Sequence, residues 1–321
     1  MKLAVLMNAL SLLKPEKDTS LAFLNRAQAL GWSCFYFTQE DMFCRNGVVY
    51  SAVSTIEGLG QHSKKLRTIP LGEQALSTFD LILMRQDPPF NMEYIYATYL
   101  LELVEREGVL VANKPASLRD VSEKMVTLQF PQCCPPTLVS RNMVHLSNFW
   151  KEYRHVIFKP LDGMGGRSVF YVGEDGRNLS VILETLTHEQ GTSIMAQQYI
   201  ADVVTGGDKR ILLINGEPVP YALARIPCAG ELRGNLAAGG HGVVVPITQR
   251  DRWICQTLAP FLRAKGLSFV GIDVIGDYLT EVNVTSPTCL REIEAETKLD
   301  IAGDYLRYLI QSRINTDPID S

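Results

Sequence analysis

The stretch FKPLDGMGGRSVF, Phe158–Phe170, ends an apolar run with Lys159, follows it with a glycine-rich loop, and then resumes an apolar run. Glycines let backbone N–H groups approach an oxyanion closely, and a lysine at the end of a strand adds a positive charge. The pattern therefore indicates a phosphate-binding turn between two strands. Because its spacing is neither that of the P-loop nor that of the dinucleotide fingerprint, a hairpin turn with a surface lysine is the alternative. The loop needs partners elsewhere in the chain.

A candidate metal site lies in the stretch FVGIDVIGDYLTEVNV, residues 269–284, whose pattern predicts a β-hairpin with its turn at Gly276 and Asp277. Alternate residues of a strand share one face, so Glu281 and Asn283 point the same way and Asp273 can join them from the paired strand. Magnesium prefers oxygen ligands and shares them between one or two carboxylates, waters and substrate phosphates. The pattern therefore favours a magnesium site, and a solvated hairpin face is the alternative.

Arginines form a third element. Arg210 and Arg225 lie in strand-like stretches among apolar neighbours, where an unpaired charge would be costly. We therefore expect both to have anionic partners. Arg233 lies in the loop 226–241, which holds four glycines and exceeds the usual loop length of about four to six residues. Such a loop is either a lid over a site or a disordered insertion.

The first third of the chain alternates short apolar strands with helical periodicity. The stretch KLAVLM predicts a buried strand, SLAFLNRAQALG a helix that ends at Gly31, and WSCFYFT and FDLILMR two further strands. This alternation predicts a parallel sheet, in which ligand groups tend to lie beyond the carboxyl ends of the strands. The segment RQDPPF, Arg85–Phe90, follows such an end.

The rest of the chain predicts mostly short antiparallel strands. The proline-rich PQCCPPT, residues 131–137, suits a passage between units, and HVIFKP, VFYVG, SIMAQQYI and RILLING follow it as strands. A hairpin turn is expected at Asn215 and Gly216, and a helix over 251–265 that Gly266 ends. A chain of 321 residues is expected to form two or three packed units.

Composition excludes several classes of protein. Hydrophobic residues make up 46% and charged residues 21%, which is typical of a soluble globular protein. The net charge of -4 provides no uniform field for nucleic acid or anionic lipid. Asn8 interrupts the N-terminal apolar run, which argues against a secretion signal, and no other run is long enough to span a bilayer. We expect neither a nucleic-acid nor a membrane partner.

The cysteines and histidines carry no metal or disulfide pattern. The seven cysteines are odd in number and include no C-x-x-C pair, and the five histidines are scattered. A reducing, cytoplasmic environment fits this usage.

Six motifs, in consistent order from Met1 to about Arg313, resemble bacterial glutathione synthetase, an ATP-grasp ligase. They are LMRQDPPF, NKPASLRDVSEK, KPLDGMGG, GDKRILLINGEPVPYALARIP, GELRGNLAAGG and TEVNVTSPTCLREIEAE. The resemblance implies an N-terminal parallel-sheet α/β domain over 1–122. A two-part α+β ATP-grasp fold over 123–200 and 201–316 would follow, with 226–241 as a mobile loop. It also implies ATP, Mg2+ or Mn2+, γ-glutamylcysteine and glycine as ligands, an acyl-phosphate intermediate, and a tetramer of identical subunits in the cytoplasm.

The same resemblance assigns roles residue by residue. The phosphates would contact Lys124, Lys159, Gly163, Met164, Gly165 and Gly166; the adenosine Gln198, Tyr199, Ile200 and Asp208; and the metal ion Asp273, Glu281 and Asn283. Arg210, Arg225 and Arg233 match arginines near the reacting groups, and Arg85, Asp87 and Ser286 are candidate contacts of the peptide substrate.

The chain also departs from the family pattern, and two alternatives stay open. Family members usually have Met-Asp-Pro where this chain has Met7, Asn8 and Ala9, and an arginine in the lid where it has His241. One alternative is an ATP-grasp ligase that joins other substrates. The other is a synapsin-like protein that binds nucleotide without turnover.

Overall fold

Three β-sheets organise the chain in this computed structural model, which describes residues 1–60, 66–163, 165–228 and 239–316. The first sheet contains β1 Lys2–Leu6, β2 Ser33–Phe37, β3 Met42–Arg45, β4 Val48–Glu57, β5 Arg67–Ala75, β6 Leu81–Met84 and β7 Leu110–Ala112. The second contains β8 Thr137–Ser140, β9 Val156–Pro160, β10 Phe170–Val172 and β11 Ile194–Gln198. The third contains β12 Asp208–Ile214, β13 Glu217–Ile226, β14 His241–Pro246, β15 Phe269–Ile275 and β16 Tyr278–Asn283.

The predicted parallel sheet is confirmed, in the order β2-β1-β6-β7. The sheet continues beyond β2 with the antiparallel strands β3, β4 and β5, which the sequence patterns did not indicate. The reason that the sequence did not indicate these strands is clearest in β5. Among the described strands it pairs with β4 alone, it is exposed along most of its length, and it contains Pro70 and Gly72. Proline and glycine weaken the strand signal and are tolerated at a sheet edge.

The second sheet is antiparallel, in the order β10-β9-β11-β8, and has a hydrophobic core of its own. Phe158 of β9 packs in that core with Leu146 and Leu183 from two helices, and all three side chains are fully buried. The strands β9 and β11 are thus supported on one face by a hydrophobic core separate from those of the other two sheets.

The third sheet is also antiparallel, in the order β14-β13-β12-β15-β16. The predicted turn between β12 and β13 is confirmed, with Asn215 at φ 50° and Gly216 at φ 79°. A two-residue hairpin of this kind requires positive φ at both positions, which asparagine and glycine tolerate best. The hairpin of β15 and β16 is likewise confirmed, with Gly276 in the left-handed region.

The helices begin and end at recognisable signals. Asp18 accepts a hydrogen bond from the backbone N–H of Leu21 at the start of the first helix, and Thr248 and Asp251 form a capping box at the start of the seventh. Gly31 and Gly266, at positive φ, follow those helices as predicted. The α-helices are α1 Thr19–Ala29, α2 Met92–Arg106, α3 Pro115–Asp120, α4 Met143–Tyr153, α5 Leu179–Thr187, α6 Val203–Gly206, α7 Gln249–Ala264, α8 Leu290–Thr297 and α9 Ile301–Thr316. Short 3-10 helices lie at Leu10–Leu12, Gln39–Asp41, Leu76–Thr78, Met125–Gln129 and Pro131–Cys133.

Asn113 joins the first sheet to the third. Its side chain donates hydrogen bonds to the carbonyls of Phe269 and Val284, at 2.8 Å each, and accepts one from the N–H of Phe269 at 2.9 Å. Phe269 also packs edge-on against Phe23 of α1, with the ring centroids 5.1 Å apart. These contacts hold the carboxyl edge of the first sheet against β15 and β16. No helix within the described ranges has both the length and the apolar character that crossing a bilayer requires.

Candidate active site

A cavity lies between the second and third sheets, and the carboxyl edge of the first sheet contributes Asp87 and Pro88 to its wall. Most of the predicted site residues line it, although they come from distant parts of the chain. These are Asp87, Lys124, Lys159, Gly163, Gly165, Gly166, Gln198, Tyr199, Ile200, Asp208, Arg210, Arg225, Asp273, Glu281, Asn283 and Ser286. Met164 and Arg233 fall outside the described residues, as does most of the predicted lid loop 226–241.

Part of the cavity wall is apolar. Ile157, Val203 and Ile275 contribute aliphatic side chains beside the segment Gln198–Ile200. Tyr199 donates its backbone N–H to the carbonyl of His155 at 2.9 Å, which ties this segment to the start of β9. An apolar slot with backbone groups at its edge is the kind of surface that accepts a flat heterocycle.

Two lysines mark the charged part of the cavity. The Nζ of Lys124 donates to the carbonyl of Gly163 at 2.6 Å and to the Oε1 of Glu281 at 2.8 Å. The Nζ of Lys159 donates to the side-chain oxygen of Gln197 at 3.1 Å and to the carbonyl of Thr280 at 3.3 Å. Burial lowers the pKa of Lys159. Lys159 is held by neutral acceptors and so keeps a positive charge without a carboxylate partner in these contacts, whereas Lys124 already pairs with a carboxylate.

A buried network of charges links three neighbouring strands. Arg210 pairs in register with Asp273, and Asp208 with Arg225. The Nε and Nη2 of Arg210 donate to the two carboxylate oxygens of Asp273 at 2.5 and 3.0 Å, and Arg225 lies 2.9 Å from Asp273 and 2.5 Å from Asp208. The expectation that both arginines have anionic partners is confirmed.

The network explains the ionisation of its members. Burial by itself would raise the pKa of Asp273, but the charges of Arg210 and Arg225 outweigh it and hold that pKa well below its usual range. The pKa of Arg225 is raised despite its burial, because Asp208 and Asp273 both stabilise its charged form. Asp273 therefore stays a carboxylate although its side chain is only 4% exposed.

Gly271 makes room for this arrangement and was missed in the sequence patterns. A Cβ atom at this position would lie 2.8 Å from the Cδ of Arg210 and 2.9 Å from the Cβ of Pro287. A glycine inside a strand often marks such a close approach, so its place in the stretch FVGIDV was an available signal. Gln197 and Thr280, which lie in strands, and Glu123, which lies in the turn before Met125–Gln129, were missed as well, because single polar residues in such places carry no distinctive pattern.

The predicted metal ligands face the cavity from β15 and β16. Asp273 pairs in register with Glu281, and Asn283 lies two residues further along the same strand. The Nδ2 of Asn283 is buried without a hydrogen-bond partner among the described residues. Turning that amide by 180° would place its oxygen there, and the Oδ1 of Asp273 retains acceptor capacity beyond its single bond to Arg210.

These side chains fit a hard cation with oxygen ligands. Two carboxylates and one amide oxygen are a suitable protein share for an ion that takes its other ligands from phosphates and water. Within the described residues, no three histidine, cysteine, aspartate or glutamate side chains group around a common ion position. A site made of protein ligands alone is therefore not what the described part of the chain offers.

Asp208 is the ionisable group of the site that we expect to titrate near neutral pH. Its Oδ1 is buried without a partner among the described residues, and burial, only partly offset by Arg225, raises its pKa to about 6. Since the folded-state pKa exceeds the ordinary value near 3.8, the associated stability is present below about pH 4 and is lost as the pH rises through 6.

We therefore expect the free energy of unfolding to fall more steeply between pH 4 and pH 7 in the wild-type protein than in the Asp208→Asn variant. The difference should be on the order of 2–3 kcal/mol, since one pKa unit corresponds to about 1.4 kcal/mol. Urea unfolding at several pH values measures it. Parallel curves for the two proteins would show that Asp208 keeps an ordinary pKa.

The three candidate contacts of the peptide substrate are placed differently. Asp87 and Ser286 meet in the cavity wall, where the Oγ of Ser286 donates to the Oδ1 of Asp87 at 2.5 Å. Arg85 does not line the cavity. Its buried guanidinium donates to the carbonyl of Pro287 at 2.8 Å and to the Oγ of Ser20 at 3.2 Å. The structure thus gives Arg85 a bracing position behind the wall.

Comparison with protein families matches nearly the whole chain. Residues 1–119 match the family model described as "Prokaryotic glutathione synthetase, N-terminal domain", and residues 123–298 match "Prokaryotic glutathione synthetase, ATP-grasp domain".

Two curated relatives match this chain in sequence over nearly their full length. The glutathione synthetase of Pseudomonas aeruginosa is 53% identical over 313 residues, which cover 98% of each chain. That of Coxiella burnetii is 45% identical over 320 residues, which cover 100% of this chain and 99% of the relative.

Solved structures share the fold at low sequence identity. The D-cycloserine synthetase DcsG superposes with a TM-score of 0.68 at 14% identity, covering 98% of this chain and 100% of the other. The ATP-grasp ligase PsnB, in its complex with a minimal precursor, Mg and ADP, superposes with a TM-score of 0.62 at 16% identity, covering 98% of each chain. The predicted fold class, an α/β domain followed by an ATP-grasp fold, is confirmed.

Proposed function

This chain belongs to the prokaryotic glutathione synthetase family, and from that premise we propose how its cavity carries out the reaction. The chain is an ATP-dependent ligase that joins γ-glutamylcysteine to glycine. One observation carries the assignment of this reaction to the cavity. An apolar slot beside Gln198–Ile200 and a charged region around Lys124 and Lys159 lie in one continuous space, as a nucleotide with its phosphates requires.

The chemistry accounts for the charged region. A carboxylate does not condense with an amine in water because its oxygen is a poor leaving group. We infer that the cysteinyl carboxylate first accepts the γ-phosphoryl group of ATP, which gives an acyl phosphate and ADP. Lys124, Lys159 and the backbone of Gly163, Gly165 and Gly166 would hold the phosphates in line for this transfer, mostly by positioning and electrostatics.

The second step needs stabilisation of an oxyanion. Glycine's amine, after its ammonium form has lost a proton to solvent, attacks the acyl carbon and a tetrahedral oxyanion forms. The oxyanion collapses to the amide as the C–O bond to phosphate breaks, and the surplus proton of the nitrogen leaves with the phosphate. We assign the stabilisation to Arg210, with Arg225 as a second positive charge nearby, because the shared carboxylate of Asp273 holds both guanidinium groups in the lining of the cavity. A preorganised donor of this type commonly accounts for about 10²–10³ in rate.

We propose Mg2+, with Mn2+ as a substitute, as the metal of the site. Asp273, Glu281 and Asn283 would hold it, and bound there it would neutralise charge on the nucleotide phosphates. The chain's own contribution is to place two carboxylates beside the phosphate region, with Asp273 paired to Arg210 and Arg225 and Glu281 paired to Lys124.

Other parts of the proposal rest on family membership. The loop 226–241 with Arg233 would close over the acyl phosphate to exclude water. The division into 1–122, 123–200 and 201–316 is supported by the separate core of the second sheet. A cytoplasmic location is supported by the described cysteines, which are all unpaired.

We also propose that the protein forms a homo-oligomer, which the family resemblance indicates to be a tetramer.

Release of phosphate by the purified protein tests the reaction. With ATP, Mg2+, γ-glutamylcysteine and glycine together, we expect steady release of one phosphate per glutathione formed. Omitting γ-glutamylcysteine or glycine, or removing the metal with a chelator, should reduce phosphate release to background.

The same assay separates the alternatives. If phosphate release does not depend on γ-glutamylcysteine and glycine but requires another carboxylate and amine, the protein is an ATP-grasp ligase with different substrates. Nucleotide binding without any release would indicate a synapsin-like protein.

A further inference from the structure

Three aromatic side chains, those of His155, Tyr171 and Tyr199, form a cluster at the rim of the cavity, next to its apolar slot. The rings of Tyr171 and Tyr199 have their centroids 4.8 Å apart and are tilted by 56°. The rings of His155 and Tyr171 have their centroids 6.0 Å apart and lie nearly parallel, at 16°. Tyr199 lines the cavity, whereas His155 and Tyr171 stand outside its lining. The two outer residues therefore act on a bound ligand through Tyr199.

Strand pairing brings the three residues together from separate parts of the chain. His155 directly precedes β9, Tyr171 lies within β10, and Tyr199 directly follows β11. Tyr171 pairs in register with Ile157, which lines the apolar slot. Residues directly opposite each other in an antiparallel pair point to the same face of the sheet. The side chain of Tyr171 therefore lies on the cavity side of the second sheet.

Two hydrogen bonds connect the members of this aromatic cluster. The hydroxyl of Tyr171 lies 2.5 Å from the Nδ1 of His155. The backbone carbonyl of the same histidine accepts a hydrogen bond from the N–H of Tyr199 at 2.9 Å. His155 thus holds Tyr171 through its ring and Tyr199 through its backbone, and the two tyrosine rings are in contact with each other.

Gly173 leaves room for the hydroxyl end of Tyr171. A Cβ atom on this glycine would lie 3.3 Å from the Oη and 3.4 Å from the Cε1 of Tyr171, closer than most contacts of a Cβ atom. A larger residue would therefore press the tyrosine ring away from its place beside His155. The carbonyl of Gly173 accepts a hydrogen bond from the Nε1 of Trp150 at 3.0 Å, which fixes the glycine itself. The position of Tyr171 is thus supported by the residues that follow β10.

The segment that carries Tyr199 needs support because the chain leaves the second sheet there. Gln198 is the last residue of β11, and beyond Ile200 the chain turns into the four-residue helix α6. Ala201 and Asp202, between the slot and that helix, are exposed. A segment that moves freely binds a ligand less tightly, because ordering it on binding costs free energy. The aromatic cluster reduces this cost by holding the segment in place before the ligand arrives.

We propose that His155 and Tyr171 are positioning residues for the nucleotide base and that they act by fixing Tyr199 beside the apolar slot. The inference rests on the proposed function, in which the adenine of ATP occupies this slot. Within the described residues, the ring contacts and side-chain hydrogen bonds of His155 and Tyr171 do not extend to Lys124 or Lys159. The cluster therefore supports binding of the base and leaves binding of the phosphates to the rest of the cavity.

The test compares binding of ADP, which carries a base, with binding of tripolyphosphate, which carries none, both with Mg2+ in calorimetric titrations. Tyr171→Leu removes the ring and the hydroxyl but keeps an apolar side chain. For this variant we expect the Kd of ADP to rise about threefold to tenfold, the usual contribution of an aromatic pair. The Kd of tripolyphosphate should stay within about twofold of the wild type, since it makes no contact in the base slot.

Turnover gives a second readout of the same variant. The base is bound equally before and during phosphoryl transfer, so losing its support raises KM without slowing the chemical step. In the phosphate-release assay the KM for ATP should therefore rise by about the same factor as the Kd of ADP, while kcat changes by less than about twofold. A general loss of structure would lower kcat as well.

Two further variants complete the comparison. Tyr171→Phe keeps the ring against Tyr199 and loses only the contact with His155, so it should weaken ADP binding less than Tyr171→Leu does, and it also serves if Tyr171→Leu folds poorly. Tyr153→Leu is the matched control, because Tyr153 also contacts an aromatic ring, that of Phe149 with centroids 4.6 Å apart, but packs on the hydrophobic core of the second sheet. It should lower the stability without changing the preference for ADP over tripolyphosphate.

The outcomes separate the inference from the proposed function. Calorimetric binding needs no turnover, so a wild type that forms no glutathione would overturn the proposed function while its preference for ADP over tripolyphosphate could still be measured. Unchanged ADP binding in Tyr171→Leu, equal losses with both ligands, or the same base-dependent loss in Tyr153→Leu would overturn the inference.

Discussion

Replacing Asp273 by asparagine is expected to remove most of the turnover and to lower the free energy of unfolding by about 3–5 kcal/mol, the range found when a buried ion pair loses one partner. Asp273 is 3% exposed and neutralises both Arg210 and Arg225. Asparagine keeps the shape but removes the charge. Among the described ion pairs, Arg225 would keep Asp208 as a partner, whereas the buried Arg210 would keep none. Urea denaturation and the phosphate-release assay measure the two effects.

A matched control shows whether the effect of removing the carboxylate depends on its burial. Asp304→Asn also removes a carboxylate from an arginine pair, but Asp304 and Arg307 are 57% and 48% exposed. Exposed pairs contribute about 0–1 kcal/mol, so this variant should unfold close to the wild type and keep its turnover. If Asp273→Asn unfolded at the same urea concentration as Asp304→Asn, the network would not be a stabilising feature of the third sheet.

Replacing Arg210 by lysine is expected to slow glutathione formation by about 10²–10³, the usual effect of losing one preorganised donor to an oxyanion. Lysine retains the positive charge but cannot make the two-pronged contact that Arg210 makes with Asp273 at 2.5 and 3.0 Å. A single donor on a flexible stem would no longer be aimed at the cavity. Because charge is conserved, we expect less destabilisation than in Asp273→Asn.

Rapid-quench kinetics can locate the affected step. If Arg210 stabilises the tetrahedral oxyanion, the first turnover should still form ADP quickly while glutathione appears slowly. Arg26→Lys is the control, because Arg26 pairs with Asp300 on the surface, with its side chain 33% exposed. Glutathione formation by Arg210→Lys at the wild-type rate would remove Arg210 from the chemistry.

Local signals in the sequence predicted many elements correctly. The turn at Asn215 and Gly216, the helix that Gly266 ends, and the hairpin around Gly276 depend on residues a few positions apart, so their patterns are legible in the chain itself. The strand β5 was missed because an exposed edge strand lacks the apolar run that marks a buried strand. The strand β4 has an alternating buried face, which was an available signal.

The candidate site residues could be found before the fold was known because glycine loops, acidic hairpins and arginines among apolar residues have recognisable chemistry, and because six motifs resemble one family. The contacts that these side chains make with one another could not be found in this way. The structure shows that one carboxylate, Asp273, serves two arginines, that Gly271 leaves space for Arg210, and that Asn8 supports Asp87.

Residue type, spacing and family likeness thus predicted many of the elements and the candidate side chains of the site, since those properties are local or shared with relatives. Which side chains touch was decided by the pairing of strands far apart in the chain. Arg210 and Asp273, for example, are 63 positions apart and meet because β12 lies in register beside β15. That register depends on the packing of the whole third sheet, and a one-residue slip would turn each of these charges to the opposite face.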